Sequence, residues 1–261
     1  MRVAAAITSA GLLLITIPAA ALEVDCAACD FCASKGDLAD ALDARIRQHI
    51  AEGKTVQQIA EAECGKSFIR PVVEVWADRQ LEAVQPDRRR FKYRNSGLPD
   101  SAALSAYAPS VRVDGICIGT DKLAHLFQEG WEYYRISVLD GKGDALAIRF
   151  GEWQEGLEAR ENYAKDEAYF LKHPTGRYGY GMYGRCISGV ISHADLAANQ
   201  AGLQLYKDLA AGRFKTIRDY VTKDFCEGAN PNDYTPAMKQ LVEKNSQKQT
   251  ALAAPSSGKP L

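Results

Sequence analysis

Apolar positions repeat with a helical period along most of this chain. Leu38, Leu42, Ile46 and Ile50 recur at every fourth position, with Asp37 placed to open that helix and Gly53 to close it. Thr55-Val-Gln-Gln58 has the form of a capping box, in which the Thr oxygen and the Gln side chain satisfy each other's free backbone amides; it starts a second short helix towards Cys64. Pro71 suits the first turn of a third helix, running through Trp76 to about Val84. Val111 to Ile118 alternates apolar and polar residues, the pattern of a short strand or an extended lead-in. Helical patterns then run from Thr120 to about Ile136, from about Glu152 to Leu171, from Ser192 to about Ala210 and from Phe214 to Phe225. Tyr178-Gly-Tyr-Gly-Met-Tyr-Gly184 reads as a flexible aromatic loop or a tight helix-packing segment. The expectation is a mainly α protein: a helical, bundle-like main body with a small disulfide-containing helical module at its N-terminus.

The division follows composition. Residues 1–21 read as a signal peptide: Arg2, an apolar run from Val3 to Ile17, the helix-breaking Pro18, and Ala19-Ala20-Ala21 as a small-residue cleavage site. The run is shorter than the roughly 20 residues that a bilayer span needs, and no later stretch is long and apolar enough. The mature chain is therefore expected to lack a transmembrane segment and to work in the periplasm or outside the cell. Residues 22–84 form the cysteine-containing module. Residues 85–110, basic at Arg88-Arg89-Arg90 and then rich in Pro, Gly, Ser and Ala, read as a linker. Residues 111–243 form the main helical domain, and residues 244–261 a disordered tail.

Charge narrows the partners. The formal net charge is -1, with acids and bases interspersed, whereas non-specific nucleic-acid binding needs a basic surface. The seven cysteines (Cys26, Cys29, Cys32, Cys64, Cys117, Cys186 and Cys226) all follow the cleavage site. In an oxidising compartment they should mostly pair, and the odd number leaves at least one free or paired between chains.

Polar chemistry concentrates on two helices. On a wheel of ~100° per residue, Leu196, Ala198, Gly202, Leu203, Leu205 and Leu209 form one apolar arc, with His193, Gln200, Gln204, Lys207 and Asp208 opposite. Asp195 and Asn199 fall inside the apolar arc, where a carboxylate and an amide need partners. Gly202 beside Ala198 would let another backbone approach there. The Thr120 helix offers the partners: Asp121, His125, Glu129 and Glu132 share a narrow face, opposite Leu123, Phe127, Trp131 and Tyr134. His125 is the leading partner for Asp195. Asp121, His125, Asp195 and Asn199 are the candidate catalytic residues, and Asp121, His125 and Glu129 could ligate a divalent metal. No cofactor is assigned. Any of Glu152, Glu155, Glu158 and Glu161 could turn towards His125. A structural polar network is the competing reading of the same residues, as a solvated face is for the Thr120 helix.

Asp121-Lys-x-x-His125 followed by Asp195-x-x-x-Asn199-x-x-Gly202 resembles the paired motifs of VanZ-like proteins and their YfiM-like relatives. The likeness covers roughly Gly119 to Leu209. VanZ-like members are usually membrane-embedded and carry a glutamate shortly before the second motif, where this sequence has Gly179 and Gly181. The resemblance implies a cell-envelope protein, in a group associated with glycopeptide-antibiotic tolerance, that binds or acts on a cell-wall component. A second likeness is looser. Cys26-Ala-Ala-Cys29 ahead of a helix with Ile46, Ile50, Gly53-Lys-Thr55 and Ile59 is similar to the thiol-redox module of CcmH cytochrome c maturation proteins. It implies a periplasmic thiol-disulfide oxidoreductase using Cys26 and Cys29. A third alternative is a non-catalytic adaptor whose polar clusters are all structural.

Cleavage after Ala21 is open to direct test: intact mass of the exported protein should place its N-terminus at Leu22 or within a few residues of it. Exported protein that still began at Met1 would contradict the signal-peptide reading.

Overall fold

The computed structural model describes residues 32–65, 71–85, 92–93 and 108–253. Cys26 and Cys29, and with them the thiol-redox pair, lie outside the described residues. The protein is mainly α, 57% helical with two small two-stranded sheets.

Helix α1 (Ala39–Ala51) buries Leu42 and Ile46 behind Leu38, but Ile50 is 45% exposed, so the apolar stripe ends one turn early. Asp37 starts α1 and does more. Its Oδ1 accepts from Ala39 N (2.9 Å) and Asp114 N (3.0 Å), and its Oδ2 from Gly115 N (2.7 Å), tying the helix start to a distant turn. Helix α2 (Val56–Cys64) opens with the expected capping box: Thr55 Oγ1 accepts from Gln58 N, and Gln58 Oε1 from Thr55 N. Helix α3 (Val72–Asp78) begins after Pro71 and stops short of Val84. Val84 instead pairs with Ser110 through two backbone hydrogen bonds of 2.8 and 2.9 Å, which a helical Val84 could not make.

The alternating segment is a hairpin of β1 (Ser110–Val113) and β2 (Ile116–Gly119). Its two-residue turn, Asp114-Gly115, has φ of 52° and 73°, the positive pair that a type I′ turn demands. Cys32 forms a disulfide with Cys117 on β2, anchoring the start of the described chain to the hairpin.

Helix α4 follows at once. It alternates α-helical turns (Thr120–Ala124, Gly130–Tyr134) with π-helical ones (His125–Glu129, Arg135–Leu139). A wheel with one charged and one apolar face predicts a surface helix, yet Asp121, His125, Glu129 and Glu132 are buried along with Leu123, Phe127 and Tyr134. A helix covered on all sides is central.

Helix α5 (Asp144–Glu155) ends at Gly156, which adopts the left-handed conformation (φ 73°). A single helix from Glu152 to Leu171 is therefore not formed; a 3₁₀ turn (Arg160–Tyr163) and the short α6 (Glu167–Phe170) take its place. The Gly/Tyr-rich segment and the residues after it cap α5. Gly181, Tyr183 and Arg185 donate backbone N–H bonds to the carbonyls of Trp153, Gln154 and Glu155 at 2.9–3.0 Å, satisfying acceptors that a helix end leaves open.

Helix α7 (His193–Ala210) is capped by Ser192, whose hydroxyl accepts from Asp195 N at 3.2 Å. The helix expected from Phe214 to Phe225 is replaced by two 3₁₀ turns, Ile217–Asp219 and Lys223–Phe225. The hydroxyls of Thr216 and Thr222 accept from N–H groups two residues on, and buried Asp43 accepts from Ile217 N (2.5 Å). These side chains take the bonds a helix would have used. Strand β3 (Val190–Ile191) pairs with β4 (Asp233–Tyr234), and α8 (Pro236–Ala253) follows. Residues after Glu243, expected to be a disordered tail, thus continue α8 to Ala253; Lys, Gln and Ala suit a helix as well as a solvated chain.

The apolar core has two main parts. One joins Leu42, Ile46, Val73 and Ala77 to Val111, Leu126, Phe127, Leu205 and Phe225, so residues from both sides of the 85–110 stretch pack together. The other is aromatic, built on Tyr133, Phe150, Trp153, Phe170 and Tyr206. Among the described residues no helix is long and apolar enough to cross a membrane.

Helices α4 and α7 cross backbone to backbone at Gly130 and Gly202. A methyl group on Gly202 would overlap the Leu126 carbonyl oxygen and come within 2.6 Å of Gly130 Cα. Gly202→Ala should therefore destabilise the protein by about 2–3 kcal/mol, the range for overpacking a tight contact. Urea denaturation beside wild type measures it; an unchanged midpoint would mean the crossing is looser than described.

Candidate functional site

The crossing at Gly130 and Gly202 brings the polar residues of α4 and α7 together on its N-terminal side. His125 Nδ1 lies 2.9 Å from Asn199 Oδ1, and His125 Nε2 lies 3.3 Å from Asp195 Oδ2. The other Asp195 oxygen accepts from Lys122 Nζ. That ammonium group also donates to Asp121 Oδ2 (2.7 Å) and Glu227 Oε1 (3.4 Å). Asn199 Nδ2 donates to Tyr133 OH at 3.5 Å. Asp195 is 3% exposed and Lys122 is 0% exposed. The partner expected for Asp195 on the Thr120 helix is therefore present, and there are two, His125 and Lys122.

Burial governs the protonation of these groups. Desolvation, with Asp195 and Glu227 adding repulsion, pushes Asp121 up to about 8 against the pull of Lys122, so Asp121 holds a proton at neutral pH. Burial would raise Asp195 as well, but His125 and Lys122 beside it hold its carboxyl below the ordinary value. Burial lowers His125 from its ordinary value, against the opposing pull of Asp195.

A third side chain reaches the same place. Donor atoms of His125, Glu155 and Asp195 all lie within 4.8 Å of one another, and all three residues are buried. Glu155 is the last residue of α5. Its Oε2 accepts from Ser192 N at 3.5 Å, and a methyl group on Gly184 would overlap that oxygen, so the absence of a side chain there makes its room. A nitrogen and two carboxylates at this spacing can hold a divalent cation.

Of the residues singled out from sequence, Asp121, His125, Asp195 and Asn199 come together. Glu129 does not join the His125 group. It lies further along α4 with Glu132, in a buried acidic patch where its Oε2 has no hydrogen-bond partner among the described residues. Desolvation and Glu132 push Glu129 up to about 8, and desolvation pushes Glu132 up to about 7 against Arg135. His173 Nδ1 sits 3.3 Å from Glu132 Oε2, and burial lowers that ring to about 4. Among the described residues, then, the metal-competent group is His125, Glu155 and Asp195 rather than Asp121, His125 and Glu129. His193 is half-exposed and pairs with Asp233 (2.9 Å), and His49 pairs with Glu63 (2.7 Å).

Sequence reasoning missed Lys122, Glu227, Tyr133 and Ser192, and did not choose Glu155 from its four neighbouring glutamates. Lys122 had one signal, its place between Asp121 and His125. The others gain their roles from segments far apart in the chain.

Fold and site together define a class: a mainly helical protein with a buried imidazole, engaged at both nitrogens, where two helices cross at glycines. Comparison with family models, curated proteins and solved structures returned no match to this chain.

Asp195→Ala should destabilise the protein by about 3 kcal/mol or more, because it removes one side of the buried Lys122–Asp195 ion pair. Asn199→Ala should remove about 1–2 kcal/mol, since a neutral amide carries the smaller desolvation penalty. Denaturation curves of both variants decide the ranking, and a wild-type midpoint for Asp195→Ala would show the pair contributes nothing.

A pH dependence follows as well. A carboxyl raised in the folded state stabilises the fold below its unfolded value, and that stabilisation is lost as pH rises through the folded value. For Glu129 and Glu132 the window runs from 4.5 to about 8 and about 7. His173 acts in the opposite sense between about 4 and 6.5 and offsets them there. Stability should accordingly fall from about pH 6.5 to 8, and Glu129→Gln should flatten the fall. Denaturation midpoints across that range, flat for wild type, would count against protonated glutamates.

Proposed function

We propose that this chain is a periplasmic or secreted cell-envelope protein of the VanZ-like and YfiM-like kind, whose His125 cluster binds or acts on a polar cell-wall component. One observation carries the reading: the His125 imidazole is buried and engaged at both nitrogens, by Asn199 at 2.9 Å and by Asp195 at 3.3 Å. The two motifs behind the resemblance stand side by side in space, Asp121, Lys122 and His125 on α4 against Asp195, Asn199 and Gly202 on α7.

A register-fixing network could be built from amides and one ion pair alone. Histidine adds the one side chain whose ordinary pKa lies near neutrality. Within this reading each neighbour has a task. Asn199 orients the ring. Asp195 faces the nitrogen that does the chemistry, and Lys122 keeps Asp195 charged. Asp121, protonated at neutral pH, bonds to Lys122 without adding a further full negative charge beside Asp195. His125 as a whole residue is 7% exposed.

The test is genetic complementation. In cells lacking this protein, the wild-type chain should restore glycopeptide tolerance. His125→Ala, exported to the same level and folded by denaturation assay, should not. Full restoration by His125→Ala would overturn the proposal.

A further inference from the structure

We infer that His125, Glu155 and Asp195 form a binding site for one divalent transition-metal ion of the Zn²⁺ or Mn²⁺ type. The inference deepens the proposed function and rests on the same site being functional.

The first ground is spacing. His125 Nε2 lies 3.3 Å from Asp195 Oδ2 in a buried site. Donor atoms around a tetrahedral ion with bonds of about 2.1 Å stand about 3.4 Å apart. The His125–Asp195 separation matches that spacing, and a Glu155 donor lies within 4.8 Å of both.

The second ground is support behind each donor. Metal ligands are usually held by a hydrogen bond on their far side, which fixes tautomer and direction. His125 is held by Asn199, Asp195 by Lys122 on its other oxygen and Ser192 through its backbone, and Glu155 by the Ser192 N–H. Ser192 therefore links two of the three donors at the start of α7.

The third ground is the donor set. Lys122 meets Asp195 at Oδ1 and leaves Oδ2 for the ion. One imidazole and two carboxylates, with no thiolate, suit a borderline ion over a soft one. Three protein donors leave a fourth position for water or a ligand oxygen, as catalytic zinc sites do.

The experiment is calorimetric titration of the chelator-treated, desalted full chain with Zn²⁺ and, separately, Mn²⁺. We expect one ion per chain for at least one of them. Glu155→Gln and His125→Ala should abolish binding, Asn199→Ala should weaken it about 10–100-fold, and Glu129→Gln should leave it unchanged. Denaturation curves confirm that each variant is folded; if Glu155→Gln is not, Asn199→Ala carries the test. Absence of stoichiometric binding, or binding that survives His125→Ala and Asn199→Ala, overturns the inference. If no ion binds while His125→Ala still fails in complementation, the metal site falls and the proposed function stands. An ion that binds beside a fully complementing His125→Ala gives the opposite result.

Discussion

The contact of α4 and α7 through Gly130 and Gly202 sets the distance on which the rest of the structure depends. With no side chain at either position the two backbones meet, since a methyl on Gly130 would lie 2.5 Å from Gly202 Cα. That separation lets short side chains one to two turns away reach across: Asp195 to His125, and Asn199 to His125 and Tyr133. A wider crossing would leave the same residues buried but out of hydrogen-bond range, where each would destabilise the fold by about 1–3 kcal/mol. Close packing and polar chemistry are therefore one feature of this protein.

The polar cluster is also what makes a central α4 tolerable. A helix carrying Asp121, Lys122, His125, Glu129 and Glu132 would ordinarily leave one side in water. Here the charge is dealt with in two ways. Near the start of α4, opposite charges meet directly, Lys122 with Asp195 and Glu227. Further along, Glu129 and Glu132 are neutralised by protons they would lose in water. The His125–Glu129 turn between these regions is π-helical, a wider turn often found at functional sites.

Glu155 reaches the cluster because α5 stops. Gly156 takes the left-handed conformation, and the segment through Arg185 folds back to cap the freed carbonyls of α5. Gly184 then leaves space for the Glu155 carboxylate beside Ser192 N, at the start of α7. A helix continuing past Gly156 would break that capping and move the carboxylate with it. The glycines around Tyr178 to Gly184 thus serve the end of α5, whose terminal residue completes the site.

The mainly α character, the capping box at Thr55, the span of α7 and the burial of Asp195 and Asn199 were legible in the chain. Each is a local property: a period, a cap, or a polar residue inside an apolar arc. The proximity of Asp121, His125, Asp195 and Asn199 was legible for the same reason, two wheels whose odd polar positions needed each other. What the tertiary structure alone decided is less local. It buried the charged face of α4, made Lys122 the counter-ion of Asp195, and selected Glu155 from four neighbouring glutamates. It also turned Phe214 to Phe225 into two 3₁₀ turns, the first held by Asp43, and ended α3 so that Val84 could pair with Ser110. A helical period records which residues share a face, but not how many neighbours will cover that face. Those neighbours come from segments far apart in the chain, and burial, pairing and protonation follow from them.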